Sequence, residues 1–393
     1  MVTFHDPEWV RSNIERILTF YHPECIDTTH GGYIAQFDEE SGDIYDTQSK
    51  HLVATCRFIA NYSLGDQVVG LDWCRSAAEH GVDFLLDRFR DDERGGFHWI
   101  LDGTEVVDST RVCYGHAFAL LALARAKDAG VGSRDIPLNE TADLIMDRFW
   151  EEEHGLCKSE YDADWQRADS YRGQNANMHM CETMIAAYEA TGAERYLDRA
   201  MTIAKALTVT LTQETDGLIW EHYTSDWDHD FAYNRDDPRD TFRPWGYQPG
   251  HQIEWAKLLA VLARHREPEW LARRAEELFR AAVDEGWDQD RGGFYYSLDL
   301  DMGPVVTEEY SWEVAEAIGA AAVLSEQTND DYYTEWYDTF WSYAVAELVH
   351  PENGNWYTKA TETNEPVPTK DGIAVELGYH PIGACLESLR SLG

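Results

Sequence analysis

One punctuation mark recurs six times along the chain. A polar turn containing glycine leads into an aromatic or aliphatic pair, in HGGYIAQFD, RGGFHWILD, HGLCKSEYD, DGLIWEHYT, RGGFYYSLD and NGNWYTKAT. Aligned on the last glycine before the apolar residue, the copies fall at Gly32, Gly96, Gly155, Gly217, Gly293 and Gly354, spaced 64, 59, 62, 76 and 61 residues apart. Alternation after the glycine reads as a short strand or hairpin. Six copies at near-constant spacing are an internal repeat rather than scattered turns.

Between the turns the apolar residues stand three and four apart, the helical period. Segments 8–20, 49–63, 70–89, 111–128, 139–151, 176–192, 194–211, 250–265, 268–286, 308–326, 330–347 and 376–391 carry it, two per repeat. Several are rich in alanine, such as AFALLALARA and AEAIGAAAVL, which suits helices packed on every side. Repeats near 60 residues exceed the roughly 20–45 of solenoids. The pattern therefore predicts a closed ring: an all-α (α/α)6 barrel of about twelve helices with short β-hairpins in its loops. No Pro/Ser-rich linker or low-complexity tract divides residues 1–393, so they read as a single domain. Residues 221–247 form a long loop that accounts for the 76-residue spacing, and long loops inside compact domains are usually functional.

Charge narrows the function. With 73 acidic and 32 basic residues the formal net charge is −41, which repels phosphate and excludes nucleic acid as a partner. Anionic membrane surfaces are disfavoured for the same reason. The 50 aromatic residues separate the chain from disordered acidic proteins. Only seven basic residues are lysine, and acid excess with scarce lysine fits a cytoplasmic protein of a high-salt organism, where molar salt screens charge within about 3 Å. The seven cysteines contain no C-x-x-C pair, so neither a structural zinc site nor a disulfide framework is expected. The N-terminal segment lacks a basic region followed by an apolar stretch, and no run is long enough to span a membrane. A cytoplasmic monomer or homodimer is expected.

Two segments carry paired His and Glu. In residues 243–255, RPWGYQPGHQIEW, His251 and Glu254 stand three apart after a Pro-Gly break, placing the histidine in a first helical turn with a carboxylate on its face. A histidine oriented by a carboxylate is how a general base is built, though a capped surface helix would read the same. In residues 171–182, YRGQNANMHMCE, His179 and Glu182 repeat the spacing, while Asn175 or Asn177 could be a routine helix cap. A metal bound by His179, Cys181 and Glu182 fails, because residues two apart do not face each other on a helix. Weaker candidates are Arg57 in an apolar helix, Tyr114 and His116, Trp312 and Glu316 four apart, and His380 in GYHP. Phosphate-loop, dinucleotide and serine-hydrolase motifs are absent from the sequence.

Taken together, Arg57, NANMH, PGHQIEW, WEVAEAIGAAA and Tyr379-His380 resemble the N-acylglucosamine 2-epimerase superfamily over nearly the whole chain. Within it, NANMH with W-x-x-AEAI-x-AAA is most similar to the mannose and sulfoquinovose aldose–ketose isomerases, and the cellobiose 2-epimerases share the histidine matching His179. The resemblance implies an (α/α)6 barrel and cofactor-free proton transfer at C2 of an opened sugar through an enediol. Return of the proton to C1 gives a ketose, and return to C2 gives an epimer. It implies His251 and His380 as acid/base groups, Glu254 as the residue that orients or assists His251, and Arg57 as stabiliser of the developing oxyanion. His179 and Asn175 would bind sugar hydroxyls, and Tyr114, Trp312 and Glu316 would line the cleft. No metal is implied. An inverting glycosidase on the same barrel is the competing class; it needs two carboxylates roughly 6.5–9.5 Å apart across the cleft, and Glu254 with Glu316 are the residues available.

Overall fold

The computed structural model describes residues 4–392 apart from 133, 134 and 241. The ends of the 1–393 single-domain reading, and position 241 of the long loop, thus lie outside the described residues. Twelve α-helices alternate with short strand pairs: α1 (Pro7–Tyr21), α2 (Leu52–Leu64), α3 (Asp72–Phe84), α4 (Cys113–Asp128), α5 (Leu138–Phe149), α6 (Gln174–Thr191), α7 (Glu194–Lys205), α8 (Pro249–Ala263), α9 (Glu269–Gly286), α10 (Ser311–Thr328), α11 (Asp331–Tyr343) and α12 (Tyr379–Leu392).

The even-numbered helices pack in sequence, α2 on α4, α4 on α6, α6 on α8, α8 on α10, α10 on α12, and α12 back on α2. That contact closes the inner ring. Each odd-numbered helix packs outside an inner one, with α1 against α12. Sequence pattern explains the sorting. Every residue of α2 is buried, and α8 is buried from Pro249 to Leu262, so these helices are surrounded on all sides. In α7 only Tyr196, Leu197, Ala200, Ile203 and Ala204 are buried, a single stripe at helical spacing. The (α/α)6 barrel read from the repeat is the fold observed.

The repeated turns share one construction. All six alignment glycines have positive φ, from 67° at Gly32 to 88° at Gly217. A side chain at Gly32 would also bring its Cβ within 2.6 Å of the Phe84 ring. Oδ1 of Asp27, Asp91 and Asp288 accepts hydrogen bonds from the backbone N–H groups two and three residues on, and Nδ1 of His350 does so in the sixth repeat.

Short strands lead into the inner helices. Ser49–His51, Arg111–Val112, Arg172–Gly173 and Glu309–Tyr310 run directly into α2, α4, α6 and α10. Each pairs with a segment of the next repeat: Ile100–Asp102, Glu160–Tyr161, His222–Tyr223 and Lys359–Ala360. The helices expected from 49, 111 and 308 therefore begin at 52, 113 and 311, because the first residues spend their backbone groups on strand pairing. The helical readings of 70–89 and 194–211 run past α3 and α7 because each continues in a π-helical turn, Leu85–Phe89 and Ala206–Thr210. No described helix is long and apolar enough to cross a membrane.

Candidate active site

A cavity of about 670 Å³ opens at the N-terminal ends of the inner helices. Tyr114, Asn175, His251, Trp312 and His380 line it from the first turns of α4, α6, α8, α10 and α12. Arg57, His179 and Glu254 line it from deeper in α2, α6 and α8. Eight of the nine residues to which the resemblance gives a role thus meet at one place.

Arg57 is 1% exposed, and its neighbours account for the burial of its charge. One guanidinium nitrogen donates to the carbonyl of Val375 at 2.8 Å and to Glu376 Oε1 at 3.1 Å. The other donates to the Tyr114 hydroxyl at 3.2 Å and stands 3.3 Å from Nε2 of His380. The Phe118 and Tyr379 rings pack against the group, each ring centre 4.8 Å away and the two 5.4 Å from each other. Burial alone would raise the Glu376 carboxyl, but the Arg57 guanidinium beside it outweighs that and holds it below the ordinary range.

The Arg57 contact fixes the tautomer of His380. A guanidinium can only donate, so Nε2 accepts and the ring proton sits on Nδ1. Nδ1 donates to Glu316 Oε1 at 2.7 Å. On this tautomer the Nε2 lone pair of His380 faces Arg57, and Glu376 Oε2 stands 3.6 Å from the same nitrogen.

His251 is oriented in the same way by a different residue from the one expected. Its Nδ1 lies 3.0 Å from Glu221 Oε2, leaving Nε2 on the cavity side. Glu221 also accepts from Gln174 Nε2 at 3.0 Å, and Gln174 accepts from Trp255 Nε1 at 2.8 Å. The reading of Glu254 as the partner of His251 is corrected: Glu221, the residue just before the short strand His222–Tyr223, reaches the ring edge, whereas the carboxylate of Glu254 turns toward α6, 4.0 Å from Nδ1 of His179. Trp312 stands against both histidines, its ring centre 5.1 Å from His251 and 5.8 Å from His380.

His179 pairs with Glu182 at 2.9 Å, as their spacing predicted. Burial brings its pKa down to about 4 against the pull of Glu182, so the ring is neutral near pH 7. Glu254 is 1% exposed. Burial and then the neighbouring Glu316 raise its carboxyl well above the ordinary range, which favours the protonated form that can donate into the cavity. Its Oε1 has no hydrogen-bond partner among the described residues, and neither has Oδ1 of Asn175. Asn175 is not the helix cap; Gly173 occupies that position.

Glu316 does not line the cavity. It lies behind His380, ion-paired to Lys257 of α8, because the Trp312 face of α10 points into the cavity and the next turn points into the barrel core. The carboxylates of Glu254 and Glu316 approach within 4.8 Å, not across a cleft, so this pair does not form the spaced site of an inverting glycosidase. His116 is structural: Nε2 accepts from the Phe97 N–H at 3.1 Å and Nδ1 donates to the Val112 carbonyl at 2.8 Å.

Comparison with known proteins agrees with this arrangement. The model of the N-acylglucosamine 2-epimerase (GlcNAc 2-epimerase) family matches residues 32–384. The chain belongs to this family. It is an enzyme of the isomerase class. The D-mannose isomerase of Marinomonas mediterranea is 38% identical over 392 residues, covering 99% of this chain and 98% of that protein. The D-mannose isomerase of Thermobifida fusca is 39% identical over 370 residues, covering 92% and 88%. A crystal structure of a D-mannose isomerase superposes with a TM-score of 0.94 at 37% identity over 99% of both chains.

Four residues of this family member escaped the sequence reading: Glu221, Glu376, Gln174 and Lys257. A signal existed for the first. The segment three or four residues after each repeat glycine, just before a short strand, brings Ala35, Trp99, Ser159, Tyr296 and Thr358 to the cavity, and Glu221 follows Gly217 at the equivalent place.

Proposed function

We propose that the chain interconverts D-mannose and D-fructose without a metal or organic cofactor. The observation that carries this reading is Nε2 of His380 held 3.3 Å from Arg57, with His251 and His380 both packed against Trp312. One histidine serves opening of the sugar ring, and the other moves the C2 proton to C1. Arg57 lies beside the enediol oxygens and stabilises their developing charge, an effect worth most in a site from which water is excluded. His179, Asn175 and protonated Glu254 bind hydroxyls, and Tyr114 and Trp312 shape the wall. Glu221 and Glu316 act through the rings they orient.

The cavity charge supports a neutral sugar. Its two arginines, Arg57 and Arg243, are already ion-paired with Glu376 and Glu160, and Glu39, Asp108 and Asp240 add further negative charge to the lining. A phosphorylated or sulfonated sugar finds no unpaired cation there. Identity near 38–39% to D-mannose isomerases supports the ketose outcome. The catalytic unit is the one barrel of residues 1–393, and its acidic surface is an adaptation to high salt. The identity of the first product tests the reading: D-fructose from D-mannose supports it, and D-glucose moves the chain to the 2-epimerases.

A further inference from the structure

Lys257 is 6% exposed and does not line the cavity. It sits beneath it in the barrel, one turn after Glu254 on α8. Three carboxylates from three helices face it: Glu182 of α6, Glu254 of α8 and Glu316 of α10. Glu316 is its direct ion-pair partner. Gly319 of α10 makes room for the stem, since a Cβ there would stand 3.1 Å from Lys257 Cδ. From α12, Tyr379 donates to Glu182 Oε1 at 2.6 Å, and Glu387 lies further along the same small void. Arg57 of α2 adds positive charge near Glu254 from the cavity side.

The carboxylates around Lys257 are also the partners of the cavity histidines. Glu316 receives the Nδ1 proton of His380, and Glu182 that of His179. We propose that Lys257 is a positioning residue for the reaction, the buried cation that keeps Glu316 ionised and thereby holds His380 in the tautomer whose Nε2 faces the cavity. Without it, a cluster of buried carboxylates has too little compensating charge, and Glu316 takes up a proton. A protonated Glu316 donates to Nδ1. The ring proton then moves to Nε2, where it opposes the N–H of Arg57 and is drawn to Glu376 Oε2, 3.6 Å away. The lone pair is lost although every cavity residue is still present.

The test compares Lys257→Met with Lys257→Arg in the full chain. Nitrogen-15 histidine NMR, with His380 assigned from the His380→Asn spectrum, reads the tautomer directly. Wild type and Lys257→Arg should show Nε2 unprotonated at pH 7, and Lys257→Met should show it protonated. In turnover, Lys257→Met should lose about 10-fold or more in kcat, with KM for D-mannose within about twofold, and recover as pH rises and Glu316 ionises. An unchanged tautomer, kcat and pH profile in Lys257→Met overturns the assignment. Should that variant not fold, Lys257→Met/Glu316→Gln removes both charges. Its kcat should be no lower than that of Glu316→Gln alone, and a further independent loss overturns the assignment. The kinetic arm rests on the isomerase reading, but the NMR arm needs no substrate. A wild type inert toward D-mannose therefore counts against the substrate and not against Lys257.

Discussion

Nδ1 of His251 lies 3.0 Å from Oε2 of Glu221, a residue thirty positions earlier in the chain, and both are buried. The pairing joins the first turn of α8 to the start of the long loop, just before the strand His222–Tyr223. Glu221 is itself held by Gln174, so the imidazole has one orientation available. Glu221→Gln keeps the shape but removes the charge-assisted acceptor. We expect kcat to fall at least ~10-fold with little change in KM, read by steady-state kinetics. Wild-type kcat would remove Glu221 from the account.

His251→Ala and His380→Ala should each lower kcat by at least ~10²-fold, the usual scale for a general acid–base group. Exchange of the C2 hydrogen with solvent in D2O, followed by proton NMR, separates their roles. The variant lacking the C2 base loses exchange even when supplied with a sugar already open. Near-normal turnover in either variant would contradict the mechanism.

Acid should destabilise the fold before most carboxylates titrate. Burial brings His51 down to about 3, and His116 and His179 to about 4, from the ordinary 6.5. Between those values the unfolded chain binds protons that the folded chain refuses, so this stability is complete above about 6.5 and drains away toward 4. Carboxylates held low, such as Asp27 at about 2, add their loss at lower pH. Glu254 and Glu313, held high, act in the opposite sense and cost stability as pH rises. Thermal unfolding should show Tm falling steadily from pH 6.5 to 4. A flat Tm across that window would contradict the buried neutral imidazoles.

Chelation should leave activity intact. The two His–carboxylate groupings near the cavity, His179–Glu182–Glu254 and Glu254–Glu316–His380, have the donor character of a metal site. Glu182 is already engaged by Tyr379 and His179, and Glu316 by Lys257 and His380, while Lys257 and Arg57 oppose a further cation beside Glu254. Turnover measured before and after EDTA should agree. Loss restored by zinc or manganese would refute the cofactor-free reading.

The sequence was most legible where chemistry follows from local spacing. The repeat glycines announced the barrel because each needs positive φ in the same turn. His179 and Glu182 paired as expected because three residues on a helix share a face. Glu254 misled for the same reason: its spacing from His251 is right, but α8 is buried on every side, so its residues choose partners from several helices. Glu376 meets Arg57 only because the ring closes, while Glu221 and Lys257 find their partners on neighbouring elements that spacing along one helix does not reveal. Glu316 was read as lining the cavity when it stands behind it, because helical spacing gives a face but not how deep along the axis that face stays open.

The most direct test follows D-mannose in D2O with the wild-type protein by proton NMR. The account predicts D-fructose as the first product, with solvent deuterium at C1. D-Glucose forming directly, with deuterium at C2 and without prior D-fructose, would contradict it.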